Sequence, residues 1–146
     1  MFDLATFNEL YKLHEPVFRE HAFKIQSTHK DIKTLEDLFS NFLNRSNQQE
    51  SHNIWKCNRM APARLLRKLF PSLKRIPTTG ISPERYLSID TAKAQPYPIP
   101  DTECSNAFIV QLDGTRTIVL RPTSECRHIC RTVSIRLPRS YVCKYI

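Results

Sequence analysis

From Ile32 to Leu43 the apolar residues fall at Ile32, Leu35, Leu38, Phe39, Phe42 and Leu43, three and four apart. That spacing lays one continuous stripe along a helix. In front of it stands Thr28-x-x-Asp31, a pattern that can satisfy the unpaired N–H groups of a first helical turn. The same signature opens the chain, where Thr6-x-x-Glu9 accompanies Phe7, Leu10 and Tyr11. Pro16 interrupts that run but suits the first turn of a second helix holding Val17, Phe18, His21, Ala22 and Ile25. The polar stretch Asn44–Asn53 ends the third helix and reads as a connector. A fourth helix is predicted within WKCNRMAPARLLRKLFPSLKR. Pro62 stands in its first turn and Pro71 at its end, with Leu65, Leu66, Leu69 and Phe70 on one side and Arg64, Arg67 and Lys68 on the other.

Beyond Ile76 the periodicity changes. Pro77, Pro83, Pro96, Pro98 and Pro100 disfavour long helices, and PYPIP predicts a rigid extended crossing packed on its own protein. Then AFIVQL and TIVL flank Asp113-Gly114, and the positive φ open to Gly114 predicts a hairpin there. Further on, Ile129, Arg131, Val133, Ile135 and Leu137 share one parity of a strand, while Thr132, Ser134 and Arg136 take the other. YVCKYI supplies a last edge strand. The fold class expected is therefore α+β, with short N-terminal helices packed against a small C-terminal antiparallel sheet. One compact domain spanning residues 1–146 is expected, with a helical region over residues 1–75, a proline-rich connector over 76–103 and a β-rich region over 104–146.

Composition narrows the function classes. Two glycines, Gly80 and Gly114, are too few for a Gly-rich nucleotide loop. No run approaches 18 apolar residues, so no transmembrane association is expected. Two acids precede the first base of the N-terminal stretch, which argues against a secretory signal. Five cysteines, an odd number at irregular spacing, argue against a disulfide scaffold. An intracellular protein, cytoplasmic or nuclear, is the expectation. No residue pattern identifies a family.

Charge adds the main functional clue. The net +8 is unevenly spread: residues 51–85 hold eight Lys or Arg and one acid, Glu84, for +7. Residues 1–50 carry −2 and residues 86–146 carry +3. Arginine grips phosphate with a fork of donors and lysine adds a mobile point charge. Lys56, Arg59, Arg64, Arg67, Lys68, Lys74 and Arg75, joined by Arg127, Arg131 and Arg136 if the halves meet, are the candidate nucleic-acid-binding residues. Trp55 and Phe70 are candidates to stack a base.

The cysteines raise a second question. Cys104, Cys126, His128 and Cys130 are the candidate zinc ligands, because thiolates and imidazoles complete tetrahedral zinc sites. Yet the chain has no CxxC turn, and a strand would hold Cys126 and Cys130 about 13 Å apart at roughly 3.3 Å per residue. One zinc joins them only if a turn breaks the strand at His128. Thiol catalysis has no oxyanion-stabilising element beside it, and Cys57 is expected to pack. The leading expectation is a nonenzymatic accessory protein that binds DNA or RNA through its basic face. The alternatives are an assembly or adaptor protein on an acidic protein partner, or a zinc-stabilised interaction module, with a homo-oligomer as a further option.

Overall fold

The computed structural model describes residues 3–21, 25–43, 50–70, 84–100 and 107–145. The chain divides into two compact units, Met1–Ile99 and Pro100–Ile146. Its class is α+β. Lys74, Arg75, Gly80 and Cys104 lie outside the described residues.

The first unit runs α1 (Leu4–Leu13), α2 (Glu15–His21), β1 (Gln26–Ser27), α3 (Leu35–Leu43), β2 (His52–Cys57), α4 (Met60–Leu66) and β3 (Arg85–Asp90). Its helices fall within the stretches the apolar periodicity marks, but α2 ends at His21, ahead of Ile25, α4 ends at Leu66, ahead of Leu69 and Phe70, and two of the starts also differ from expectation. The Asp3 carboxylate caps α1 by accepting the Thr6 N–H at 2.6 Å, three residues ahead of the expected Thr6 cap. At α3 the cap is Thr34-x-x-Asp37: Asp37 N–H donates to Thr34 Oγ1 at 3.2 Å, and Asp37 Oδ2 accepts the Thr34 N–H at 2.9 Å. Thr28 does not cap a helix. Its N–H donates to the His52 carbonyl at 3.0 Å and its hydroxyl accepts the His52 N–H at 2.9 Å. The backbone just before Thr28 is committed to β1, so helix cannot begin there.

The strands β1 and β3 stand where a helix junction and the proline-rich connector were expected, and β2 is a third strand that the apolar pattern does not reveal. It takes up His52 and Asn53, expected as connector, and Trp55–Cys57, expected as the head of the basic segment. It sits between β1 and β3 in an antiparallel sheet, with Gln26 opposite Ile54 and Trp55 opposite Leu87. His52 and Lys56 break the look of a buried strand, and Asn53 looks like a loop residue. Asn53 is nonetheless buried and satisfied, donating to the Ile89 carbonyl at 2.9 Å and accepting from Ser27 Oγ at 2.6 Å.

Trp55, 1% exposed, carries the helices onto this sheet. Its ring centroid lies 6.0 Å from both Phe7 of α1 and Phe18 of α2. Phe7 meets Phe39 of α3 edge-on at 5.2 Å and 79°. Tyr11 closes the cluster on Phe18 and Phe39. Edge-to-face pairs of this kind add roughly 0.5–1.5 kcal/mol each to plain burial. On α4, Pro62, Ala63 and Leu66 are buried.

The second unit holds β4 (Ala107–Val110), β5 (Thr115–Leu120), β6 (Val133–Pro138) and β7 (Val142–Tyr145). The hairpin expected at Asp113-Gly114 does not form. Instead β4 pairs with β7 and β5 with β6, all antiparallel. Val110 faces Val142 and Thr115 faces Pro138, so residues 111–114 oppose residues 139–141, with one more residue on the first side. Ser140 N–H donates to the Gln111 carbonyl at 2.8 Å and Gln111 N–H to the Tyr141 carbonyl at 3.1 Å, carrying the ladder across the gap. The four strands are thus one long two-stranded ribbon with a bulge. Gly114 at φ 68° and Ser140 at φ 69° bend its two sides together. The chain reverses between Leu120 and Val133.

That reversal also corrects the strand expected through Cys126 and Ile129. Residues 124–129 form turns, and β6 starts only at Val133. Parity within β6 is as expected: Val133, Ile135 and Leu137 oppose Leu120, Ile118 and Arg116 on one face. Leu137 and Ile118 are buried, but of the other residues expected on that face Val133 is 50% and Ile129 88% exposed.

Two outcomes test these packing and capping assignments. Trp55→Ala should lower the unfolding free energy by about 3–5 kcal/mol in chemical denaturation, the usual cost of deleting a core aromatic. The second concerns the α3 cap. Partial burial pushes the Asp37 carboxyl up, but hydrogen bonds from Lys33 and Thr34 outweigh it and hold the group below its ordinary 3.8. A depressed folded value means the cap stabilises fully above the unfolded carboxyl value and loses effect as pH falls through the folded one. The stability gap between wild type and Asp37→Asn should therefore be constant near neutrality and shrink as thermal melts are taken to acid pH.

Candidate functional site

The basic residues of the first unit separate into two kinds. Lys56 on β2 lies 2.5 Å from Glu84 and its ammonium sits 5.3 Å from the centre of the Tyr86 ring. Hydrogen bonds to Glu84 and Tyr86 push its pKa up. Glu84 is the one acid among residues 51–85, and it is spent on Lys56. Arg59, Arg64, Arg67 and Lys68, on and around α4, are exposed, and among the described residues none makes an ion pair. The stacking role considered for Trp55 fails, because its indole is in the core. Phe70 is half-buried just past α4.

In the second unit Arg127 and Arg131 are exposed on the reversal that joins β5 to β6, and Arg136 is exposed on β6. Arg121 stands at the start of the same reversal, also exposed. The one acid between Leu120 and Val133 is Glu125. A hydrogen bond from Ser124 pulls its carboxyl below the ordinary range, so it is ionised at neutral pH.

The cysteines fall into distinct settings. Cys57 is fully buried on β2, and that burial pushes its thiol pKa up, which makes it a packed and unreactive group. Cys126 and Cys130 are exposed. Cys130 N–H donates to the Cys126 carbonyl at 2.8 Å, so the segment closes as a helical turn and not as the strand that would hold the two about 13 Å apart. Both line an open depression of about 330 Å³ with Leu120, Pro122, Arg131 and Val133. His128 is exposed on the same turn. Among the described residues, no three His, Cys, Asp or Glu side chains gather as a metal site.

A polar cluster in the first unit has no counterpart in the sequence pattern. The β2–β3 register sets His52 opposite Asp90, and His52 Nδ1 lies 2.7 Å from Asp90 Oδ1. Tyr97, from the proline-rich crossing, stacks on the His52 ring at 3.2 Å between centroids and donates from its hydroxyl to Asp90 Oδ2 at 3.0 Å. The Ser88 hydroxyl donates to both Asp90 oxygens, at 3.3 and 3.1 Å. In an acyl-transfer triad the imidazole stands between hydroxyl and carboxylate. Here the hydroxyl and the carboxylate meet directly, and both hold Tyr97. The cluster is a clamp that pins the crossing to the sheet, as a packed connector requires. Its signal is readable only once His52 and Asp90 are known to be cross-strand partners.

A family model described as the C6orf89 C-terminal domain matches residues 6–140. No curated protein and no solved structure matches the chain. The matched span begins inside α1 and ends in the turn before β7, so it takes in the aromatic core, the clamp and β4 to β6 with the reversal, while β7 lies beyond it. The chain belongs to the C6orf89 C-terminal domain family.

Proposed function

We propose that this chain is a nonenzymatic binding protein that holds a nucleic-acid backbone through exposed arginines. The observation that carries the reading is the set Arg59, Arg64, Arg67 and Lys68, exposed and without ion pairs among the described residues, in a segment whose one acid is already taken by Lys56. Uncompensated charge of this kind releases condensed counterions when it meets phosphate. The ribbon supports the same reading. A two-stranded antiparallel ribbon fits the major groove of duplex DNA, and Arg127, Arg131 and Arg136 are exposed at or near its reversal. The mechanism is charge neutralisation and positioning, with no base code attached. An acidic protein surface is the rival occupant.

Binding to single-stranded DNA, duplex DNA and RNA over rising salt tests the proposal. Affinity is expected to fall steeply and log-linearly with salt. Arg64→Ala with Arg67→Ala should weaken binding to every sequence alike and reduce the salt slope by about two, one for each phosphate no longer neutralised. The melting temperature of that variant should stay at the wild-type value, since both side chains reach solvent. No binding to any of the three at roughly 50 mM salt, where backbone attraction is strong, overturns the reading in favour of the protein partner. Wild-type affinity in the double variant removes α4 from the interface.

A further inference from the structure

We infer that Cys126 and Cys130 form a two-thiol site for a soft monovalent cation of the copper(I) class at the end of the ribbon. Three features of this turn converge. The Cys126 carbonyl accepts both the Ile129 N–H at 3.0 Å and the Cys130 N–H at 2.8 Å, so the two cysteines stand one helical turn apart. Residues four apart on such a turn project to the same side. Both cysteines line one depression, whose wall includes Leu120, Pro122 and Val133.

The spacing selects a bridging ion over a direct sulfur–sulfur bond. Side chains four apart on a helical turn hold their β-carbons about 5–6 Å apart, whereas a disulfide draws them to about 3.8 Å. An ion between the sulfurs relieves that mismatch, since two metal–sulfur bonds of about 2.3 Å, set nearly in line as a two-coordinate ion holds them, put the sulfurs about 4.6 Å apart. The donor count selects the ion. No third His, Cys, Asp or Glu joins the pair among the described residues, so an ion needing four protein ligands is poorly served. Thiolate donors favour copper(I) as they do zinc, and of the two it is copper(I) that is content with two sulfur ligands. Binding exchanges two thiol protons for one cation and leaves a complex of net charge −1, beside Arg121 and Arg131 on the same wall. No electron moves in this step. The site stands independently of nucleic-acid binding.

The test uses the full reduced chain without oxygen, titrated with copper(I) held by a competing chelator. One copper per chain is expected, with a thiolate-to-copper absorption in the ultraviolet. Cys126→Ser and Cys130→Ser should each lower the affinity roughly 100-fold or more, because each removes half of a tethered pair. Cys104→Ser and Cys143→Ser should bind as the wild type does. Full affinity in either Cys126→Ser or Cys130→Ser overturns the site, as does an equal loss in Cys104→Ser. Both thiols are exposed, so serine there leaves folding intact, and unchanged melting curves check this. Phenylarsine oxide gives a second readout: it condenses with two neighbouring thiols and releases one water. It should protect Cys126 and Cys130 together from alkylation, and free alkylation of either one in its presence refutes the pairing.

Discussion

The indole of Trp55 stands on the middle strand of a three-stranded sheet, and Phe7 and Phe18 close over it from two different helices. Burying an aromatic of this size removes about 150–250 Å² from water, or roughly 4–6 kcal/mol at 25 cal/mol per Å². The indole Nε1–H is buried without a hydrogen-bond partner among the described residues. An unmade bond of that kind costs about 1–3 kcal/mol, so the apolar gain wins. α4 in turn packs against α2, the helix that carries Phe18. The chain leaves β2 at Cys57 and enters α4 at Met60. With Pro62, Ala63 and Leu66 turned inward, Arg64, Arg67 and Lys68 are left to solvent.

A different constraint shapes the second unit. Two-stranded ribbons have little core, and here Ile118 and Leu137 are its buried apolar residues among those described. Backbone pairing therefore matters more than side-chain burial. The bulge at residues 111–114 lets the ladder continue past Gly114 instead of reversing there. The reversal moves to residues 121–132, and with it Arg121, Arg127, Arg131 and both exposed cysteines gather at one end.

Two short-range pairings then decide which charged and polar groups are left for a partner. Glu84 engages Lys56 and takes it out of the uncompensated set. Asp90 engages His52, Ser88 and Tyr97 and so fastens the proline-rich crossing to β2 and β3. In both cases an acid on or beside β3 is matched to a residue of β2.

The sequence alone determined the helices of the first unit, because a stripe repeating every three or four residues cannot be buried any other way. It determined the parity of β6 through an alternation at period two, and it showed that positive charge concentrates in residues 51–85. Helix starts were less legible, since Thr28-x-x-Asp31 and Thr34-x-x-Asp37 carry the same chemistry and strand pairing at β1 chose between them. Tertiary structure alone decided that HNIWKC is a central strand, because Asn53 and Lys56 become acceptable there only through partners far along the chain. It also decided that Gly114 bends a ribbon and does not end one. A positive φ serves a turn and a bulge equally well, and the choice lay with the strands that Ala107–Val110 and Thr115–Leu120 found to pair with.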